Sequence, residues 1–267
     1  MASSFHSLYL PCAEREPLLR HVQQTLVQHG YTLFDPFSIM PGKAYAQSVR
    51  LFAAPLRAGW LRLLGENVDA ALLADFAADG LCLSLALAGD VAEIVVYHNG
   101  AARHTPEALA DALSPHTRAP YTRTDVLAAL TGNAAEKTTA GALPLDALPD
   151  DLQRLAGSVD PKAANNLFGR LSKQLMQKAG GDKDAAAALL ARGADWQSAG
   201  GARIRRLMRC LDVPEDWQTP DFVTLRDAYQ LHLRRQRLPG ARLYPGDAET
   251  LARVADALAY TPLYGGR

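Results

Sequence analysis

The sequence predicts an α+β protein: a small open sheet with packed helices, followed by an all-α helical bundle. Three observations carry this. The 267 residues include 47 Ala and 41 Leu but only 12 Val and 3 Ile, so strong helix formers far outnumber β-branched residues. Strand-like runs are confined to the first hundred or so positions. After residues 131–144, a small, polar and unpatterned stretch, apolar side chains recur only at helical spacing. With 48% hydrophobic residues and zero formal charge, the chain is long enough and apolar enough to bury a core.

In chain order, Phe5 to Leu10 reads as a short strand. A helix from about Glu14 to His29 carries Leu18, Leu19, Val22 and Leu26 on one face and stops at Gly30. Tyr31 to Phe34 reads as a strand closed by Asp35-Pro36, and Ser48 to Ala53 and Trp60 to Leu64 are weaker strands. Asn67 or Asp69 can cap a helix bearing Leu72, Leu73 and Phe76, which stops at Gly80.

The clearest local signal is a hairpin. Leu81, Leu83, Leu85 and Leu87 alternate with Cys82, Ser84, Ala86 and Ala88, and Gly89-Asp90 supplies a two-residue turn into Val91–His98. Pairing across that turn sets His98 beside Leu81 and Tyr97 beside Cys82, and leaves a leucine wall that needs helices laid against it. Thr105-Pro106-Glu107 then opens a helix to about Leu113. The resulting β-α-β-β-α-β-β order matches a ferredoxin-like two-layer sandwich, an analogy that carries no function.

Helices are expected from Asp160 to Gly180, from Asp182 to Arg192, around Ile204–Leu211, from Asp221 to Leu238 and from Gly246 to Ala259. Gly180-Gly181 and Gly200-Gly201 read as helix punctuation, and the tail from Pro262 reads as loose or pinned by Leu263 and Tyr264. The expected division is a sheet domain over 1–130, a linker over 131–144 and a helical domain over 145–267.

Zero net charge hides a segregation. Residues 1–160 carry 11 basic and 17 acidic side chains, whereas residues 161–243 carry 15 and 8. Helical spacing puts Arg205, Arg206 and Arg209 opposite Ile204, Leu207, Met208 and Leu211. Lys162, Arg170 and Lys173 lie opposite the apolar stripe of their own helix, and Arg234, Arg235 and Arg237 cluster at the end of another. Such faces are solvated, dock on the acidic first half, or bind an anionic partner, either nucleic acid or an acidic protein surface. Trp196 and Trp217, flanking the Arg-rich helix, read first as fillers between helices and second as anchors for a partner. A helix-turn-helix is disfavoured, since Ala194–Gly201 is about twice the usual three to four residues.

Motifs for chemistry are sparse. Pro41-Gly42-Lys43 lacks the Ser or Thr and the upstream Gly of a phosphate loop, and there is no dinucleotide fingerprint and no nucleophile elbow. The seven histidines form no helical metal pair, and the hairpin register separates Cys82 from His98. Asp150-Asp151 and Glu14-x-Glu16 read as helix-start acids. Neither catalytic residues, metal nor cofactor are expected. Three unspaced cysteines, no apolar run near 18 residues and no leader-like N-terminus lead to the expectation of a cytoplasmic protein with no membrane segment. The functional expectation is a non-catalytic binding or adaptor protein. The alternatives are nucleic-acid binding through the basic helices and an enzyme whose polar groups assemble only on folding.

Overall fold

In the computed structural model of the chain the described residues are 5–38, 45–66, 68–132, 194–240 and 242–267. Eight strands form one open sheet: β1 (Phe5–Pro11), β2 (Thr32–Phe34), β3 (Ser48–Ala53), β4 (Trp60–Glu66), β5 (Leu81–Ala88), β6 (Val91–His98), β7 (Ala101–Arg103) and β8 (Thr261–Gly266). Their order is β2-β8-β3-β4-β1-β5-β6-β7, and every neighbouring pair is antiparallel. The described helices are α1 (Arg15–Gln28), α2 (Ala70–Phe76), α3 (Pro106–Leu113), α4 (Arg123–Thr131), α5 (Ala199–Cys210), α6 (Phe222–Arg237) and α7 (Asp247–Arg253).

Local signals act where they were read. Asp69 caps α2 by accepting from the Leu72 amide at 2.9 Å, and Thr105 caps α3 by accepting from the Ala108 amide at 3.2 Å. Gly30 follows α1 at a φ of 79°, which only glycine adopts without strain. The hairpin pairs Leu81 with His98 and Cys82 with Tyr97, and Gly89 takes a φ of 58° at the first turn position.

The sheet is buried on both faces, which is why its central strands read as nearly continuous apolar runs. On one face α1 and α2 press Leu19, Val22, Leu26, Leu72 and Phe76 onto Leu8, Leu10, Leu51, Leu61 and Leu63. On the other, Leu81, Leu83, Leu85 and Leu87 receive Leu109 and Leu113 of α3, Val126 and Leu130 of α4, and Ile204, Leu207 and Met208 of α5. Trp196 packs edge-on to Phe5 with ring centres 4.8 Å apart, and Trp217 stacks on Tyr9 at 6.0 Å, so both fill this layer.

The leucine wall is thus covered by α3 and α4 together with α5 from beyond residue 194. Residues 1–133 and 192–267 make up one compact unit. A boundary between sheet and helical domains at 131–144 does not separate the described residues, and the rest of the expected helical domain, 145–193, lies outside them. The turn Pro41-Gly42-Lys43, the acids Asp150-Asp151 and the helices over 160–192 fall outside them as well.

Further differences have identifiable causes. The tail from Pro262 is not loose but pinned, with Leu263 and Tyr264 buried, as strand β8 inserted between β2 and β3 with Leu51 opposite Leu263 and Phe34 opposite Tyr264. Its glycines leave room for rings, because a Cβ on Gly266 would meet the Tyr45 ring at 2.2 Å and one on Gly265 would meet Tyr31 at 2.9 Å. The helix expected over Gly246–Ala259 ends at Arg253, and the Val254 carbonyl beyond it accepts from His232 Nε2 at 3.0 Å. Strand β7 and helix α4 were not expected; α4 is too short to show a period, and a Thr122–Asp125 capping box starts it.

Gly200-Gly201 does not punctuate a helix. Both glycines are buried in the first turn of α5, which lies against the β5–β6 turn, and a Cβ on Gly200 would sit 2.1 Å from the Asp90 carbonyl oxygen. The Asp195 amide donates to the Gly89 carbonyl at 2.8 Å and fastens the same junction.

The half-buried His6 on β1 is expected to make stability pH-dependent. His6 Nε2 lies 3.2 Å from Ser84 Oγ, and burial holds its imidazole pKa below the ordinary value. The unfolded chain therefore binds the extra proton first, and stability falls as pH drops below about 6.5. The expected result is a smaller loss of Tm between about pH 7.5 and about pH 5.5 for His6→Gln than for the parent. An equal loss in both proteins would show that His6 is not responsible.

Candidate functional site

Among the described residues a concave region lies where α6 crosses the β2–β8–β3 end of the sheet. A strap, residues 34–38, leaves β2 at Asp35-Pro36 and runs over α6. Asp35 Oδ1 accepts from the Phe37 amide at 2.9 Å, the local turn that Asp before Pro favours. The Phe37 ring points inward, 4.7 Å from Tyr229, 6.0 Å from Phe52 and 6.0 Å from Tyr264. Phe34 lies 5.1 Å from Tyr45 in a stacked arrangement.

Three adjoining cavities of about 520, 310 and 530 Å³ surround this ring cluster, and Phe37 lines all of them. Their cationic walls come from two elements, Arg50 from β3 and Arg226, Arg234 and Arg237 from α6, and Asp35 of the strap adds a carboxylate to one of the three. Arg237 Nη1 donates to the Phe37 carbonyl at 2.8 Å, so the last turn of α6 holds the strap directly. Arg226 forks onto Asp227 at 2.7 and 2.9 Å, and Arg50 Nε reaches Ser48 Oγ at 3.3 Å. Burial first, and then the nearby Asp35 carboxylate, push the Tyr229 phenol upward, while Arg237 opposes them; the hydroxyl stays protonated at neutral pH. Aromatic walls with several guanidinium forks suit a ligand that is flat or apolar in one part and anionic in another.

A second, shallower cleft of about 430 Å³ gathers Cys12, His98 and His116 from three separate parts of the chain. Burial raises the Cys12 thiol above its usual pKa, which favours the thiol over the nucleophilic thiolate. Burial and then His98 lower His116. Cys82 is fully buried and pushed up to about 12, facing Tyr97 as the hairpin register required. All three cysteines are free thiols. Among the described residues no set of three or more His, Cys, Asp or Glu is arranged to hold a metal ion, and no helix is long and apolar enough to cross a membrane.

Of the basic residues singled out from the sequence, those among the described residues lie on two helices. Arg205, Arg206 and Arg209 lie on α5, which packs over β5, β6 and α4. Arg205 and Arg206 are half-buried, and the exposed Arg209 reaches Glu215 at 3.3 Å. Arg234 and Arg235 lie in the last turn of α6, which packs over β4 and α7. Arg234 lines the cleft, donates to the Arg242 carbonyl at 3.3 Å and stacks over Tyr244 at 5.5 Å, while Arg235 is exposed. Lys162, Arg170 and Lys173 lie outside the described residues. The ion pairs described between the two halves run opposite to the bulk charge: Arg57 with Asp216 at 2.6 Å, and Arg118 with Asp212.

Sequence reading singled out Arg234 and noted Arg237, but it missed Arg50, Arg226 and the ring cluster. Their partners lie far apart in sequence: Phe37 and Tyr229 meet only because β8 closes the sheet beneath them. Fold and site together define an α+β protein whose open eight-stranded antiparallel sheet carries an arginine- and aromatic-lined cleft. Comparison with protein-family models, with curated proteins and with solved structures finds no match to this chain.

Proposed function

We propose that this is a non-catalytic binding protein that takes an anionic ligand in the cleft between the strap and α6. The observation that carries the reading is the convergence of Arg50 with Arg226, Arg234 and Arg237 on adjoining cavities with aromatic walls. Such a site supplies orientation and charge without an activated nucleophile, and the raised Cys12 thiol in the other cleft speaks for binding over thiol chemistry. For the scaffold, a ferredoxin-like reading is supported by the order β3-β4-β1-β5 within the sheet and by α1 and α2 sharing one face.

The nucleic-acid reading draws on the exposed Arg209 and the half-buried Arg205 and Arg206 of α5. Partners engage arginines at both places, Glu215 on Arg209 and Asp227 on Arg226, and the aromatic walls beside the cleft arginines favour the cleft. One titration distinguishes the two. At about 50 mM salt, pyrophosphate is expected to bind saturably and to lose about tenfold or more in affinity in Arg50→Gln/Arg237→Gln, with Arg205→Gln/Arg206→Gln/Arg209→Gln unchanged. A DNA or RNA duplex that binds the parent and is released by the α5 triple variant alone would transfer the function to α5. No saturable pyrophosphate binding would remove the cleft reading.

A further inference from the structure

We infer that the box now filled by the Phe37 ring is a subsite for an aromatic group of the ligand, so that the cleft takes a small aryl phosphate or aryl carboxylate. This rests on the anionic-ligand reading above and narrows it. The box is made by Phe52, Tyr229 and Tyr264, whose rings surround Phe37 at 4.7–6.0 Å. Nothing about that geometry is particular to a phenylalanine of this chain; any flat ring of the same size satisfies the same edge-on and tilted contacts.

Asp35, Pro36 and Ser38 are exposed and only Phe37 turns inward. Its carbonyl is tied to α6 through Arg237, the same guanidinium that faces the cavities on either side. An anion arriving at Arg237 competes with the Phe37 carbonyl for that donor, while an incoming ring competes with the Phe37 ring for the box. Because Phe37 lines all three cavities, withdrawal of its ring joins them into a continuous site of the size that encloses small organic ligands. Phe37 acts here as a self-ligand that lowers the apparent affinity by the fraction of time it occupies the box.

The test compares phenyl phosphate with methyl phosphate on the full chain and on Phe37→Ala, with Phe37→Leu as a milder variant and far-UV circular dichroism to verify folding. Emptying the box is expected to tighten phenyl phosphate by about fivefold or more and to leave methyl phosphate within about twofold. Phe37→Leu, which refills part of the box, should fall between. If methyl phosphate binds all three proteins while phenyl phosphate is unchanged or weakened in both variants, the aromatic subsite is wrong and the anionic reading stands. If neither phosphate binds any folded form, both fall together.

Discussion

Arg62→Met is expected to lower the free energy of unfolding by about 3–5 kcal/mol, the largest effect of any single substitution considered. Arg62 belongs to β4 and is wholly buried on the face that carries α3 to α6. Its three kinds of nitrogen are all engaged: Nε donates to Ser7 Oγ at 3.0 Å, Nη1 to the Thr219 carbonyl at 2.9 Å and Nη2 to the Pro220 carbonyl at 2.9 Å. The guanidinium also lies 5.7 Å over the Phe5 ring. Removing it leaves the buried Ser7 Oγ and two part-buried carbonyls without this donor, a cost of about 1–3 kcal/mol for a buried acceptor and less where water reaches the carbonyls, and it also forfeits the packing of a wholly buried side chain.

Burial lowers the pKa of this guanidinium, with Tyr9, Tyr260, Asp216 and Asp221 acting the other way. An arginine nevertheless stays charged at neutral pH. Arg62→Lys keeps the charge but not the fork, so it should recover only part of the loss. Urea denaturation reads the effect as a lower midpoint at unchanged slope. A midpoint for Arg62→Met equal to the parent's would mean that the clamp between β4 and the approach to α6 contributes nothing.

Gly200→Ala should cost about 2–3 kcal/mol, an unusually large penalty for adding one methyl group. The added Cβ would stand 2.1 Å from the Asp90 carbonyl oxygen and 2.9 Å from the Ala92 amide nitrogen. Both are backbone atoms of the hairpin, so no rotamer change relieves the overlap and α5 must lift off the turn. Gly240→Ala is the matched control, since a Cβ there meets nothing within 4 Å. It should lie within about 0.5 kcal/mol of the parent. Equal stability of the two variants would show that α5 does not depend on its close approach to β5 and β6.

Both substitutions concern contacts between residues far apart in the chain, and that marks what could be read in advance. The β5–β6 register followed from alternation and a glycine turn, because a strand's period of two and the turn's left-handed φ are local properties. The Asp69 and Thr105 caps followed for the same reason: the donor and acceptor are three residues apart. Gly200-Gly201 gives no such local signal, since a glycine kept small by a distant backbone looks the same in sequence as one that ends a helix. Arg62 gave no warning either; its alternation with Trp60 and Leu64 marks a shared face, but not that the face is dry.

The candidate cleft was legible only in part. A cluster of arginines at the end of α6 was visible as helix spacing, but the same residues also offset the partial negative charge of a helix C-terminus and needed no ligand to explain them. What sets them on a cleft is Phe37 arriving on the strap and Arg50 on β3.

By itself the sequence determined the helix and strand segments with strong periods, the hairpin register and several caps, because each depends on side chains within a few positions of one another. Tertiary structure alone decided that residues 261–266 enter the sheet between β2 and β3, that α5 from the second half joins α3 and α4 over the leucine wall, and that rings and guanidiniums from four segments meet above β8. Those outcomes depend on which of many apolar faces pair, and burial free energy is non-directional, so no single segment encodes its partner.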